Sequence, residues 1–499
     1  MEKRHTILLT LILIASCLII LGIGTVLTKT LTTGKDTAEP KDAVFYEGFE
    51  DATDADVAEL IKNCPSWVKP SVTNTEYKTG KKALALNAYH QYVFIPIDKA
   101  LLTPGTNYEF SMDWKLKELT DTNTRKIEKL IFVGYNPSEG EKLDANFLKT
   151  NGVYTYKEDI PATGDWVHTT LRFGNSNYDL DEQYGFLLKY AASEPFTDDD
   201  IIYLDNLAVV PAKDEAIAPI DLVEEERKDD TVKVLAFGNS FSYDSVTWIS
   251  HIANADGKDL RVANCSISGC SLQRHYKNIF NGNDDRYSFT YHTKAYGVNS
   301  YSKVSMQEAL KATDWDCIVF QQASGQSFKP DTYEPYLTEL IAYVKTFHPN
   351  VKIYFNETWA YPDDSYMFQG NKTFDTDGDG NSEEDPMFEA IKKAYLKASQ
   401  NHDSTPLIPV GEAINKARDE MKLNLSRDGH HLDDRGQLIA ALIWYETFTG
   451  ISALDNKVDL TDNELFPSLE ITADEQRVMK KIAHDTVTLY KQANQTQKP

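Results

Sequence analysis

Cysteine is scarce in this chain, five in 499 residues, and one of them, Cys17, lies in the apolar N-terminal segment. That is too few for a disulfide scaffold. Apolar cores must therefore hold the fold, and 41% hydrophobic residues over this length allow two sizeable ones. Basic residues are in deficit, 51 against 76 acidic, for a net charge of −25. Such a chain is repelled by phosphate backbones and anionic headgroups, which excludes nucleic-acid binding and leaves the N-terminal segment as its only contact with a membrane. No His-x-x-x-His and no cysteine pair at zinc-ligand spacing is present, nor any repeat with a period of roughly 20 to 50 residues.

Long uncharged runs are also missing, with one exception. After Lys3 and Arg4, Thr6 to Leu27 carries no charge, about the length that spans a bilayer. Residues 1–30 therefore read as a signal peptide or an N-terminal membrane anchor. Ile14-Ala15-Ser16-Cys17 resembles a bacterial lipobox, but Leu18 to Leu27 stays apolar where a lipoprotein turns polar, which ranks lipidation below the other two. Each reading predicts a secreted or cell-surface protein.

The rest of the chain divides in two. Residues 44–210 show short runs with period-two or apolar strand patterning, such as Tyr92 to Ile97, Tyr108 to Trp114, Lys129 to Val133 and Ile201 to Leu207, which predict an all-β sandwich. Residues 211–230, acidic and uneven, read as a linker. From 231 to 499, apolar strands alternate with helical stripes. Val232 to Phe237 reads as a buried strand, Val246, Ile249, Ile252 and Ala253 as a helix face, Val351 to Phe355 as another strand, and Leu438, Ile439, Leu442 and Ile443 as a further helix. This alternation predicts an α/β domain with a mostly parallel sheet.

Two stretches in this second part carry chemistry. Gly238-Asn239-Ser240 follows the first strand, at the carboxyl end where open α/β sheets place their crevices. Asp428-Gly429-His430-His431 precedes a helix. A serine hydroxyl needs a base to become a nucleophile, and an imidazole serves best when a carboxylate holds its second nitrogen. Ser240, His431 and Asp428 supply these three parts. Plainer readings exist for each: Gly-Asn-Ser suits a turn, Asp433 or Asp434 could cap the following helix, and the histidine pair could bind a metal with those two aspartates.

On these residues, positions 231 to about 455 resemble the GDSL/SGNH hydrolase superfamily. Its members are α/β esterases with the nucleophile in a Gly-Asp-Ser-like block and the base in an Asp-x-x-His block. The resemblance implies a three-layer α/β/α domain in which Ser240 attacks, His431 is base and then acid, and Asp428 orients it, with no cofactor required. It also implies an oxyanion hole built from a glycine amide and an asparagine side chain. Gly269 fits the first. Where the family has Gly-x-Asn-Asp, this chain has Gln321-Gln322-Ala323-Ser324-Gly325, so Gln322 is expected to donate in its place, with the amides of Ser240 and Gly269. Asn239 replaces the family's aspartate and is expected to face substrate. These departures resemble a divergent branch.

Asp375-Thr376-Asp377-Gly378-Asp379-Gly380-Asn381 spaces oxygen ligands as a Ca²⁺ loop does. Pro386 stands where the bidentate glutamate of an EF-hand would be, and Glu383, Glu384 or Asp385 could substitute. The expectation is a structural ion on Asp375, Asp377, Asp379, Asn381 and Glu383, against a plain acidic loop. The front region resembles jelly-roll carbohydrate-binding modules in Gly48-Phe49-Glu50 and Tyr203-Leu204-Asp205-Asn206, with Trp67, Tyr89, Tyr92 and Trp114 as candidate sugar platforms unless they are core. Together these readings predict an extracellular serine esterase that removes O-acyl groups, acetyl above all, from an acylated sugar or polysaccharide. A lipid or aryl esterase on the same triad, or an inactive cell-surface glycan-binding protein, are the alternatives.

Overall fold

A computed structural model describes residues 39–462 and 469–496, except 63–68, 88–91, 117–124, 137–154, 175, 177, 179–180, 192–200, 214–218, 280–286 and 295–296. The N-terminal segment read as signal or anchor lies outside the described residues. Among the described residues no helix is long and apolar enough to cross a membrane.

The front part holds strands β1 (Phe45–Glu47), β2 (Pro70–Thr73), β3 (Ala83–Asn87), β4 (Tyr92–Ile97), β5 (Tyr108–Leu116), β6 (Lys126–Tyr135), β7 (Thr155–Pro161), β8 (Val167–Phe173), β9 (Gln183–Ala191) and β10 (Ile201–Pro211). They pair antiparallel in two sheets, β2-β3-β10-β5-β8 with β1 beside β10, and β4-β9-β6-β7. Alternation in β5 turns Phe110, Met112, Trp114 and Leu116 inward, where they meet Val93, Ile95, Phe132 and Phe186 of the other sheet in one core. Phe110 and Phe186 stack across it with ring centroids 3.8 Å apart. This alternation corrects one expectation. Trp114 is fully buried and its indole N–H donates to Thr169 Oγ1 at 3.0 Å, so it is core and no sugar platform. Trp67 and Tyr89 lie outside the described residues, as does the side chain of Tyr92.

The second part holds β11 (Val232–Gly238), β12 (Leu260–Ser266), β13 (Tyr287–Thr293), β14 (Gly297–Val304), β15 (Cys317–Phe320), β16 (Lys352–Asn356) and β17 (Leu407–Ile408), in the order β14-β13-β12-β11-β15-β16-β17. From β12 to β17 the pairings are parallel. The β13–β14 hairpin adds an antiparallel edge that the alternation of strands and helices did not predict. The chain leaves β11 first toward β12 on one side and later reaches β15 on the other, so β11 ends at the topological switch point, where such sheets open a crevice. Among the helices of this part are Ser240–Val246, Ile249–Ala255, Tyr336–Phe347, Glu384–Asn401, Val410–Met421 and Asp434–Thr449, with the predicted stripes on the first, second and last of these. A long helix, Ala473–Thr496, packs on the last two. Cys265, Cys270 and Cys317 are buried free thiols.

The loop after β8 reaches the second part. Tyr276 donates its hydroxyl to the Gly174 carbonyl, and the Glu339 carboxylate accepts from Ser176 N–H at 2.7 Å and Ser176 Oγ at 3.0 Å. Burial pushes the Glu339 carboxyl up to about 6, against the lowering effect of the two Ser176 bonds. A carboxyl raised on folding stabilises the folded form below its ordinary value of 4.5, and that contribution is lost as the pH rises through about 6. Thermal melts should therefore show the native protein gaining most over Glu339→Gln below pH 4.5, with the gap shrinking between pH 4.5 and about 6. A gap independent of pH would refute the buried contact.

Candidate active site

Strand β11 ends on Gly238, where a Cβ would lie 2.4 Å from Ser242 Oγ, so only glycine fits this turn. Asn239 then caps the helix Ser240–Val246, its Oδ1 accepting the Phe241 N–H at 3.0 Å. Ser240 is the first helical residue and is half-buried. The facing loop is closed by a bridge between Ser426 and Leu432, with Gly429 at φ 86° making its turn. Within that loop Asp428 Oδ1 accepts the His431 N–H at 2.9 Å and Oδ2 pairs with His431 Nδ1 at 2.7 Å. The other ring nitrogen, Nε2, lies 2.8 Å from Ser240 Oγ.

These contacts assign the proton. With Nδ1–H donating to a carboxylate, Nε2 of the neutral ring is left to accept the Ser240 O–H. Partial burial pushes the Asp428 carboxyl up, but the His431 ring and the amides of His431 and His430 outweigh it and hold it at about 2. Asp428 thus stays an anion over the range in which the imidazole can take and return a proton. Aromatic packing steadies the group: Phe241 stacks flat on Trp359 at 4.0 Å, and Trp359 Nε1–H donates to the His430 carbonyl at 2.8 Å. The His430 ring lies against that of His431, centroids 3.9 Å apart, and burial followed by the neighbouring His431 lowers its pKa. Asp428, His430 and His431 could be spanned by a metal, their ligand atoms lying within 4.8 Å. Both nitrogens of His431 are already engaged, however, and Asp433, one of the two other candidate ligands, caps its helix by accepting Gly436 N–H. The geometry suits proton transfer better than ligation.

Residues 233–486 match a family model described as a domain of unknown function, DUF4886. The chain belongs to the DUF4886 family. It is similar to a solved DUF4886 protein from Bacteroides uniformis, with 30% identity, 52% of this chain and 95% of that one covered, and a TM-score of 0.47. Weaker likenesses are to a GDSL-like lipase candidate from Parabacteroides merdae, at 17% identity over 45% of this chain and 98% of that one with a TM-score of 0.31. A further likeness is to the CBM22-1 xylan-binding domain of Xyn10C from Paenibacillus barcinonensis, at 15% identity over 35% of this chain and 97% of that one with a TM-score of 0.23. No curated protein matches.

Ser240, Asp428 and His431 all lie in the DUF4886 region, and there two expected site residues turn out to be committed elsewhere. Gln322 is buried; its Oε1 accepts the N–H groups of Leu272 and Ala323 at 3.0 and 2.9 Å, and its Nε2 donates to the Thr332 carbonyl at 3.0 Å and to Thr332 Oγ1 at 3.1 Å. It has no donor left for an oxyanion. Asn239 does not face substrate either. It is buried, with Nδ2 donating to the Cys270 carbonyl at 3.0 Å and Oδ1 also accepting from Gln321 Nε2 at 2.8 Å. An aspartate could not make the donation to Cys270, which gives the asparagine a physical reason. Gln321 continues to Asn356 at 2.6 Å and Asn356 to the Trp444 indole at 3.1 Å, a buried polar chain that short motifs do not reveal. Gly269 lies in an exposed turn after β12 with φ 62°.

In the acidic loop, single carboxylate oxygens of Asp375, Asp377 and Asp379 come within 4.8 Å of one another. The oxygens of Asn381 and Glu383 are engaged by backbone: Asn381 Oδ1 accepts Gly370 N–H at 2.9 Å while its Nδ2 donates to the Asp379 carboxylate at 3.2 Å, and Glu383 Oε1 accepts the N–H groups of Thr376 and Asp377 at 2.9 and 3.2 Å.

Gln322→Ala tests its bracing role directly. Removing the amide strands the Leu272 and Ala323 N–H groups in a buried place, so denaturant unfolding should show a loss on the order of 1–3 kcal/mol. Unchanged stability would put Gln322 back among the free donors.

Proposed function

We propose that this DUF4886 protein is an extracellular serine esterase that removes O-acyl groups, acetyl above all, from carbohydrate. The observation that carries the reading is the unbroken line Asp428–His431–Ser240, with contacts of 2.7 and 2.8 Å. Ser240 Oγ attacks the acyl carbonyl as its proton passes to His431 Nε2. The tetrahedral oxyanion is met by the amides of Ser240 and Gly269, without Gln322. His431 then protonates the departing sugar oxygen, leaving an acyl-enzyme on Ser240. A water gives its proton to His431 and its oxygen to the acyl carbon, and collapse returns the proton to Ser240 and releases the acid. A layered SGNH-like arrangement of the second part belongs to the same reading. The carbohydrate half rests on the sequence likeness of the front part to sugar-binding modules, and export rests on the uncharged Thr6 to Leu27.

A fluorophosphonate probe should label Ser240. Ser240→Ala and His431→Ala should each abolish release of acetate from acetylated polysaccharide, and the double variant should be no worse than either, because the residues act as one unit. Hydrolysis by Ser240→Ala at the parental rate would end the esterase reading. Activity on long-chain or aryl esters alone would transfer it to a lipid or aryl esterase.

The reading also includes a structural Ca²⁺ on Asp375, Asp377 and Asp379. An ion that binds only the folded protein raises its melting temperature as its concentration rises. Added calcium should do this for the parent protein and not for Asp377→Ala, while a melt insensitive to both calcium and chelator would leave the loop as acidic surface.

A further inference from the structure

Asp244 lies one turn beyond Ser240 on the same short helix and is completely buried. It touches none of the reacting atoms, yet its carboxylate reaches both ends of the loop that carries His431. Oδ2 accepts the N–H of Leu432, the residue after His431, at 3.0 Å. Oδ1 accepts from Nη1 of Arg427, the residue before Asp428, at 2.9 Å, and from Gln437 Nε2 at 3.0 Å. The same Arg427 Nη1 also donates to the Leu432 carbonyl, and Arg427 N–H donates to the His431 carbonyl at 3.0 Å. The turn Asp428–His431 is thus pinned at entry and exit to one carboxylate on the nucleophile's own helix.

We propose that Asp244 is a positioning residue that sets the Ser240–His431 distance by clamping the base loop to the nucleophile helix, with Arg427 as the far jaw. This rests on the esterase reading above for its catalytic consequence, though the clamp itself does not. The chemistry of the acceptor explains why an aspartate stands here. Three donors converge on one side chain, and only a group that accepts everywhere and donates nowhere can satisfy them. An asparagine at 244 would turn an NH₂ toward at least one of these donors and leave the Arg427 charge without its partner. Burial pushes the Asp244 carboxyl up, while Arg427 and the other donors pull it down. The Ser240–His431 hydrogen bond alone joins a half-buried hydroxyl to a ring on a loop. The clamp adds a part-buried, charge-assisted tie in line with it.

The experiment compares Asp244→Asn, Arg427→Met and Arg427→Lys with the parent protein. The readouts are the rate of Ser240 labelling by a fluorophosphonate, kcat and KM on p-nitrophenyl acetate, and hydrogen exchange over residues 426–433. Arg427 is 42% exposed at its side chain, so Arg427→Met should fold even if Asp244→Asn does not. A base displaced by a fraction of an ångström should cost kcat roughly 100-fold with KM changed by no more than about twofold. Labelling should slow in proportion, and the Leu432 amide should exchange faster while helix Asp434–Thr449 keeps its protection. Arg427→Lys should recover most of the rate, because one nitrogen makes both contacts in the parent. A parent protein that neither labels nor hydrolyses esters would defeat the esterase reading, and faster exchange over 426–433 in the variants would still uphold the clamp. Unchanged exchange in Arg427→Met, or faster exchange with an unchanged labelling rate, would overturn the positioning role.

Discussion

The arrangement at the carboxyl end of β11 depends on one demand: a buried strand must stop, and the next side chain but one must stand at the crevice with a free hydroxyl. Gly238 allows the close approach of Ser242, and Asn239 then uses every polar atom of its side chain to hold the turn. From Asn239 the hydrogen bonds run through Gln321 and Asn356 to Trp444, linking β11, β15, β16 and helix Asp434–Thr449 beneath the site. In a low-dielectric interior each of these bonds is strong and each unmade one is costly, so the chain of amides rigidifies the floor as a unit. Ser240 is presented by that floor.

The base is brought from the other end of the domain. Its loop is short, is closed by the Ser426–Leu432 bridge, and enters helix Asp434–Thr449 under the Asp433 cap. That helix is apolar nearly all round and buried for most of its length, so the loop ahead of it has little freedom to wander. Asp428 and His431 are three residues apart and find each other locally. Bringing His431 to Ser240 needs the sheet, the buried helix and the Asp244 carboxylate together. The front part joins through Glu339 and Tyr276.

Much of this was legible in the residues. Period-two or apolar runs announced β4, β5, β6 and β10, and the stripes Val246 to Ala253 and Leu438 to Ile443 announced their helices, because burying one face leaves a periodic signature. Ser240, Asp428 and His431 could be picked out because each sits beside an element whose pattern is plain. Trp114 could not be placed, since an aromatic on a half-buried strand satisfies a core or a sugar equally well until the facing sheet is known. Gln322 failed for a related reason: an amide beside a catalytic strand can donate to a ligand or brace a neighbouring loop, and only the position of Thr332 and Leu272 decides. The β13–β14 hairpin was missed although Tyr287, Phe289 and Tyr291 alternate with Ser288, Thr290 and His292 along β13; its partner β14 shows no such pattern.

By itself the sequence determined the local matters: the type of the plainly patterned segments, that the two parts have separate apolar patterns, and that a serine and an Asp-x-x-His pair stand at element ends. These arise from interactions between near neighbours, whose spacing is written in the chain. Tertiary structure decided which polar side chains remain free. Asn239, Gln322 and Asp244 carry groups that could serve substrate. Each is instead consumed by a partner distant in sequence, because a buried donor or acceptor must be satisfied wherever the fold brings one within reach.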